Sequence, residues 1–410
     1  MAGGNYALLS MHIAWLGKKT PVCGNVTYGR EITNALLDRG HRVSFLHFAS
    51  DTESMAHGNN SSNTHHSQNH AVPNGGAIVD RQDVPLPFLY KSTIFTVPSL
   101  SASKILVESL RELKPDLVHA SLALSPLDFM LPEICADLNL PLLATFHLPF
   151  DLKRRNITSS TQQFTYQIYA PSLADYHQVI IFSQVQRDLL KKLGVPDSRI
   201  SIIPNGVDPD RYSPGTSNIK AELGAEHLFV YQGRLALEKN VEAMLRAWRK
   251  LKLPDTCKLA IVGDGPSGTT LKSTYGSDSN IVWMGFIADE KRRIEILRGA
   301  DGFILPSLVE GLSLSLLEAM SCGVACLATD VGADGEVLAN GAGIVLDPRK
   351  VTSQLVNFLP LLITHPEFAK LLGKKARQRV LEKYTLNKNI TILEDLYRQV
   401  LKKPQVSYIN

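Results

Sequence analysis

Short apolar runs alternate with longer stretches of helical periodicity along most of this chain, and that alternation restricts the fold more than any other property of the sequence. His12–Leu16, Val43–Phe48, Leu117–Ala120, Leu142–Phe146 and Val179–Phe182 read as strands in the first half. Leu228–Tyr231, Lys258–Val262, Ile281–Met284, Gly302–Leu305, Val324–Ala328 and Gly343–Val345 form a second series. Near-continuous apolar strands separated by helical patterns are the mark of βαβ units, whose parallel strands are covered on both faces. Two such series predict two doubly wound sheets. The division between them is expected near Ile203 to Pro214, where Pro204-Asn205-Gly206-Val207-Asp208 supplies turn chemistry between two periodic regions.

Composition agrees with two cores. The chain has 410 residues, too many for one compact domain, with 44% hydrophobic and 20% charged residues. Its longest apolar stretches, such as Ala300 to Leu308, are broken by Asp, Gly or Pro well short of the ~20 residues of a membrane-crossing helix. The net charge of +4 is mild, and Lys and Arg are scattered, which points away from nucleic acid. Lys153-Arg154-Arg155 is open to two readings, a solvated loop or a weak contact with an anionic membrane. Five cysteines without a CxxC pair fit a reducing compartment, and Met1 to Ser10 carry no secretory signal, so cytoplasmic work is expected.

Two segments stand outside the alternation. Asp51 to Ala77 is rich in Asn, Ser, His and Gly and reads as a mobile insertion. Its His57, His65, His66 and His70 either catch a metal or merely belong to a polar low-complexity loop. Phe368 to Val400 is strongly helical in pattern and reads as closing helices.

In an open parallel sheet, ligands bind beyond the carboxyl ends of the strands. After Leu228–Tyr231 comes Gly233-Arg234-Leu235-Ala236-Leu237-Glu238-Lys239, which presents two cations at one strand end. An Arg fork and a Lys point charge suit a diphosphate and the charge that grows on a departing nucleotide. The competing reading is a surface ion pair. After Lys258–Val262, the turn Gly263-Asp264-Gly265-Pro266 permits close backbone approach, and it lacks the GxGxxG spacing of a nicotinamide enzyme. Phe286 lies either beside a planar base or in the core.

The run Pro306-Ser307-Leu308-Val309-Glu310-Gly311-Leu312-Ser313-Leu314-Ser315-Leu316-Leu317-Glu318 joins a buried strand to an apolar helix expected to begin near Leu312. Amides at such a helix start attract phosphate, and Gly311, Leu312, Ser313 and Leu314 would line it. Glu310, unfavourable beside phosphate, suits sugar hydroxyls. Glu318, about two turns into the helix, leans back toward the N-terminus, where ribose hydroxyls would lie; a solvated helix residue is the alternative. In the first half, Gly24 lies in a flexible turn opening a helix, which either faces the sugar or the acceptor or is a plain strand-to-helix turn. His147, directly after Leu142–Phe146, places an imidazole at a strand's carboxyl end.

Gly233-Arg234 with Lys239, Gly263-Asp264-Gly265-Pro266, and Glu310 spaced eight from Glu318 together resemble family 4 glycosyltransferases of the GT-B fold, from about Met11 to Tyr384. The resemblance implies two Rossmann-like α/β domains facing across a cleft. It assigns 1–205 to an acceptor-binding domain, 206–384 to a nucleotide-sugar-binding domain, and 385–410 to a closing helix. It further implies a retaining, metal-independent hexosyltransferase without a cofactor. Arg234 and Lys239 would bind the diphosphate, Glu310 the sugar, Glu318 the ribose and His147 the sugar near the reaction centre.

The segments from Trp15 to Glu31 and from Val118 to Asp128 are similar to digalactosyldiacylglycerol synthases of cyanobacterial type. That similarity implies UDP-galactose as donor, monogalactosyldiacylglycerol as membrane glycolipid acceptor, and a peripheral protein on the cytoplasmic face of a thylakoid or plasma membrane, docked in part through Lys18 and Lys19. A polysaccharide precursor as acceptor, or a nucleotide-sugar-binding protein without transfer activity, are the readings it competes with.

Overall fold

The computed structural model describes residues 10–20, 23–48, 81–92, 95–122, 124–149 and 157–402. The low-complexity stretch 51–77 and the Lys153-Arg154-Arg155 loop lie outside these residues. The chain divides into two compact units. One takes the described residues up to Leu148, then Phe164–Ile203, and those from Ile390 onward; the other takes Pro149–Gln163 and Pro204–Asn389.

In the first unit, β1 (His12–Gly17), β2 (Arg42–Phe48) and β3 (Arg81–Leu86) are followed by a small ribbon of β4 (Phe88–Lys91) and β5 (Thr96–Pro98). Then come β6 (Leu117–Leu122), β7 (Leu142–Phe146), β8 (Gln178–Ile181) and β9 (Ile200–Ile202). Among the described residues the main sheet runs β3-β2-β1-β6-β7-β8-β9, all parallel, while β4 and β5 pair antiparallel. β1, β6 and β7 are buried at every residue, which is why they read as unbroken apolar runs. Four strands were not visible in that pattern. β3 is polar and carries Pro85, which an edge strand tolerates because its outer side need not donate; β4 and β5 are half exposed, and β9 has three residues.

The second unit holds β10 (His227–Gln232), β11 (Cys257–Val262), β12 (Ile281–Gly285), β13 (Gly302–Leu305), β14 (Ala325–Thr329) and β15 (Ile344–Leu346). They form a parallel sheet in the order β12-β11-β10-β13-β14-β15. From β10 the chain runs outward through β11 to β12 and then crosses back to β13 on the other side of β10, so β10 and β13 flank the switch point, the crevice where open α/β sheets bind ligands. In the first unit β1 and β6 flank the corresponding point.

The last helix, Leu386–Lys402, carries a buried stripe of Ile390, Leu393, Tyr397 and Val400 at helical spacing. It counts with the second unit up to Asn389 and with the first from Ile390. Among the described residues no helix is long and apolar enough to cross a membrane.

Candidate functional site

Two loops meet at the switch point of the second sheet. Lys239 ends a short 3-10 turn, Leu237–Lys239, after β10, and Glu310 follows β13. The Lys239 ammonium donates to Glu310 Oε1 at 2.6 Å, and Ser307 Oγ donates to the same oxygen at 2.8 Å. The backbone ties the loops as well, with Leu308 N donating to Glu238 O at 2.8 Å and Asn240 Nδ2 to Pro306 O at 3.2 Å. Arg234 forms its ion pair with Glu238, four residues on. The sequence reading set Arg234 and Lys239 together as a pair of cations; the structure instead gives each a carboxylate of its own, at half-buried positions. Ion pairing and location at the strand end both hold for these residues.

The helix after β13 is Leu314–Ser321 with Ser313 as its N-cap, so it begins two residues later than expected. Ser313 Oγ accepts from Leu316 N at 3.4 Å, and Ser313 N donates to Asp334 Oδ1 at 2.9 Å. Leu312 is therefore not helical but a buried loop residue, whose carbonyl accepts from Asn205 Nδ2 at 2.7 Å. The Gly311 carbonyl accepts from Ala333 N at 2.7 Å. These bonds pin the loop yet leave the amides of Leu314 and Ser315 without a hydrogen bond to any described residue. Two unbonded donors at a helix start are the kind of feature that attracts an anion. Gly332 closes the loop from behind: at φ +56° it is left-handed, and a Cβ there would lie 2.2 Å from Glu310 O.

Glu318 is the fifth residue of this helix, a little over one turn in rather than two. It reaches back to β10, where Gln232 Nε2 donates to Glu318 Oε2 at 2.8 Å. Burial pushes its carboxyl up to about 7, against the pull of the Arg293 charge and a hydrogen bond from Tyr212. The helix glutamate is thus neither freely solvated nor ion-paired at close range. Asp334 is fully buried; burial first, then the charge of Glu310, holds its carboxyl well above the usual range, and its Oδ2 has no partner.

The Gly263-Asp264-Gly265 turn makes a close approach within the protein itself. Gly263, at φ +134°, would place a Cβ 1.9 Å from Gly233 O, and Leu235 N donates to Asp264 O at 3.0 Å. The close approach is to the protein's own Gly233 to Leu235 loop, which the turn buttresses, while the Asp264 carboxylate accepts from Gly265 N at 2.8 Å. Phe286, just past β12, is 66% exposed, which rules out core packing. It lies beyond the outermost strand of the sheet, on the far side of β11 from β10.

The first unit gathers a second polar group. Gly24 is the first residue of the helix Gly24–Asp38, exposed, with open space where a Cβ would stand. Its neighbour Asn25 crosses the β1/β6 switch point: Asn25 Nδ2 donates to Leu122 O at 3.3 Å, and Asn25 Oδ1 accepts from Ser121 Oγ at 2.8 Å. Ser121 Oγ also lies 2.8 Å from His147 Nε2. The His147 ring packs edge-on against Tyr28, centroids 4.6 Å apart, and burial pulls its imidazole down to about 3, so it is neutral near pH 7. Beneath it, His119 bridges Tyr397 Oη (2.5 Å) and Thr145 Oγ1 (2.7 Å), and Tyr28 Oη meets the same Thr145 hydroxyl at 3.2 Å.

Sequence reasoning missed Asn205, Gln232, Asp334, Asn25 and Ser121. Gln232 and Ser121 were detectable in principle, as polar residues at the carboxyl ends of otherwise apolar strands. Asn205 was taken only as turn chemistry. Among the described residues no group of His, Cys, Asp or Glu is arranged to hold a metal ion.

Comparison with known proteins fits this architecture. Residues 22–211 match the model of Glycosyltransferase Family 4, and residues 216–379 that of Glycosyl transferases group 1. A UDP-Gal:alpha-D-GlcNAc-diphosphoundecaprenol alpha-1,3-galactosyltransferase of Escherichia coli is 30% identical over 220 residues, 51% of this chain and 56% of that protein. A sulfoquinovosyl transferase of Arabidopsis thaliana is 24% identical over 324 residues, 76% of this chain and 61% of that one. The matched part thus spans little more than half the length of these curated relatives. Among solved structures, a sucrose-phosphate synthase of Thermosynechococcus elongatus superposes with a TM-score of 0.74 at 19% identity, covering 95% of this chain and 99% of that one. The Anabaena protein Alr3699/HepE, in complex with UDP and glucose, superposes with a TM-score of 0.71 at 16% identity, covering 95% and 99%. With both sheets of the predicted topology and both halves matched by their respective models, the chain belongs to the family 4 glycosyltransferases of the GT-B fold.

Proposed function

We propose that this protein is a retaining hexosyltransferase that moves a sugar from a nucleotide diphosphate, with UDP-galactose as first candidate, onto a glycolipid. The observation that carries the reading is the junction at the β10/β13 switch point: Lys239 bound to Glu310 at 2.6 Å, in the loop that leads to the two unbonded amides of Leu314 and Ser315. In this reading the amides and the cations Arg234 and Lys239 receive the pyrophosphate, Glu310 turns to the sugar hydroxyls, and Glu318 accepts from the ribose. Gly24 and the neutral His147 face the sugar or its acceptor. Phe286, Gly233, Gly263, Asp264 and Gly265 contribute by shaping the donor side.

The bond from the anomeric carbon to the β-phosphate oxygen breaks while the acceptor hydroxyl oxygen bonds the same carbon from the same face. The hydroxyl proton passes to the departing phosphate. No carboxylate nucleophile, cofactor or metal is needed, since the two cationic side chains and the helix amides balance the charge of the leaving group.

The Escherichia coli relative is a galactosyltransferase that takes UDP-Gal to a diphosphoundecaprenol-linked acceptor, and the Arabidopsis relative is a sulfoquinovosyl transferase; the first is what supports a UDP-galactose donor and a lipid-linked acceptor. Monogalactosyldiacylglycerol, giving digalactosyldiacylglycerol, is the acceptor we propose.

Transfer from UDP-galactose, UDP-glucose and GDP-mannose, with and without galactolipid, tests both halves of the reading. UDP release that galactolipid does not accelerate, together with no lipid product, would remove that acceptor. Lys239→Ala is expected to lower kcat by about 10²–10³ with the fold intact. Near-normal turnover in that variant would overturn the diphosphate role.

A further inference from the structure

Two elements of the first unit, and a helix that belongs to it from Phe164 onward, turn large apolar side chains outward. In the β4–β5 ribbon the pairing register slips between Phe88 and Tyr90, and the bulge leaves Leu89 (71% exposed) and Tyr90 both facing out. Phe95 leans on Tyr90, ring centroids 5.3 Å apart. The helix Pro126–Asp137 exposes Phe129 and Met130 in its first half. The helix Ile157–Leu173 contains no charged residue at all, and its outer face presents Phe164 (61% exposed) and Ile168 one turn apart. The elements adjoin: Thr96 N donates to Leu124 O at 3.1 Å, and the Phe129 ring lies 4.6 Å from that of Tyr169. An apolar surface assembled from three elements calls for a partner.

Charge decides which partner. Lys18 is buried (5% exposed), Lys19 is paired with Asp83 at 2.8 Å, and Lys91 donates to Thr20 Oγ1 and Phe48 O. Of the cations expected to dock the protein, Lys18 and Lys19 are thus not set out for a membrane, while Lys153-Arg154-Arg155 lie outside the described residues. The later turns of the 126–137 helix expose Glu133 and Asp137, which an anionic surface would repel. Position adds to this. Tyr166, between Phe164 and Ile168, donates to Leu148 O at 2.7 Å, and Leu124 lies just past β6. The face therefore borders the strand ends that carry Ser121 and His147.

We propose that this face seats the protein on an uncharged glycolipid bilayer, presenting lipid headgroups to the Ser121–His147 end of the sheet. The proposal rests on the reading of a glycolipid acceptor. Docking is by apolar insertion of the ribbon and the two helices at the headgroup boundary, with aromatic side chains at the interface.

The test is flotation of the full chain with vesicles of phosphatidylcholine and monogalactosyldiacylglycerol, with and without added phosphatidylglycerol, in low and high salt. Binding to the uncharged vesicles that salt does not weaken is expected. Leu89→Ser with Tyr90→Ser, and separately Phe164→Ser with Ile168→Ser, should each lower the bound fraction about tenfold or more. UDP release from UDP-galactose in detergent should stay unchanged in both variants. The proposal is overturned if the wild type does not float, if it floats only on anionic vesicles and is released by salt, or if both double variants float as well as wild type. A wild-type dimer in size exclusion that the substitutions dissolve would assign the face to a second copy instead. Flotation without sugar transfer to galactolipid sinks the acceptor and leaves the docking face, whereas transfer to detergent-dispersed galactolipid without flotation does the reverse.

Discussion

Glu318 combines a helix position, a strand partner and an elevated carboxyl in one side chain. Because burial raises it to about 7, the protonated form predominates below that value and the carboxylate above it. A carboxylate accepts from two vicinal hydroxyls, while the protonated acid must spend one oxygen as a donor. Nucleotide affinity measured by calorimetry is therefore expected to rise between about pH 6 and 8 in the wild type and to stay flat in Glu318→Gln. Stability moves the other way. A raised carboxyl favours the folded state fully below its unfolded value and loses that contribution as pH rises through about 7, so Glu318→Gln should gain stability relative to wild type over that interval. The identity of Glu318 as a site candidate was legible because it is the lone acid in an apolar helix. Its partner Gln232 was not, since nothing in the spacing of residues 86 positions apart reveals that strand β10 lies beside that helix.

At the scale of elements, the loop and helix after β13 depend on the buried Asp334. Its Oδ1 takes the Ser313 amide at the helix start, and its elevated carboxyl lets it stay buried beside Glu310. Asp334→Ala leaves that amide buried without a partner and is expected to cost about 1–3 kcal/mol by chemical denaturation. Asp334→Asn, which keeps the acceptor oxygen, should cost clearly less; equal losses would deny the capping role. The strands framing this loop were readable because parallel strands buried on both faces need unbroken apolar runs. β3, with Arg81, Asp83 and Pro85, was not readable because an edge position relaxes that demand. The glycines after β11 were readable as a site of close approach, but the approaching backbone proved to be Gly233 to Leu235.

At the scale of the molecule, two sheets were foreseeable from two series of strands, and the C-terminal helix was foreseeable as a helix. That its second half belongs with the first unit was not: only folding brings Tyr397 Oη to His119, 278 positions earlier in the chain. His119 is fully buried and burial pulls it down to about 3, so it is a neutral ring whose two nitrogens are both engaged. Tyr397→Phe strands one of them and is expected to lower stability by about 1–3 kcal/mol, read by denaturant titration. An unchanged midpoint would mean that water or a shifted ring replaces the lost hydroxyl.

The pairing of Arg234 with Glu238 and of Lys239 with Glu310 makes the formal charges of those four side chains cancel. An incoming anion meets little long-range field from them and must displace a carboxylate to reach either cation. Association at this strand end should then depend on close-range geometry rather than on steering from a distance, and its rate should be nearly indifferent to ionic strength.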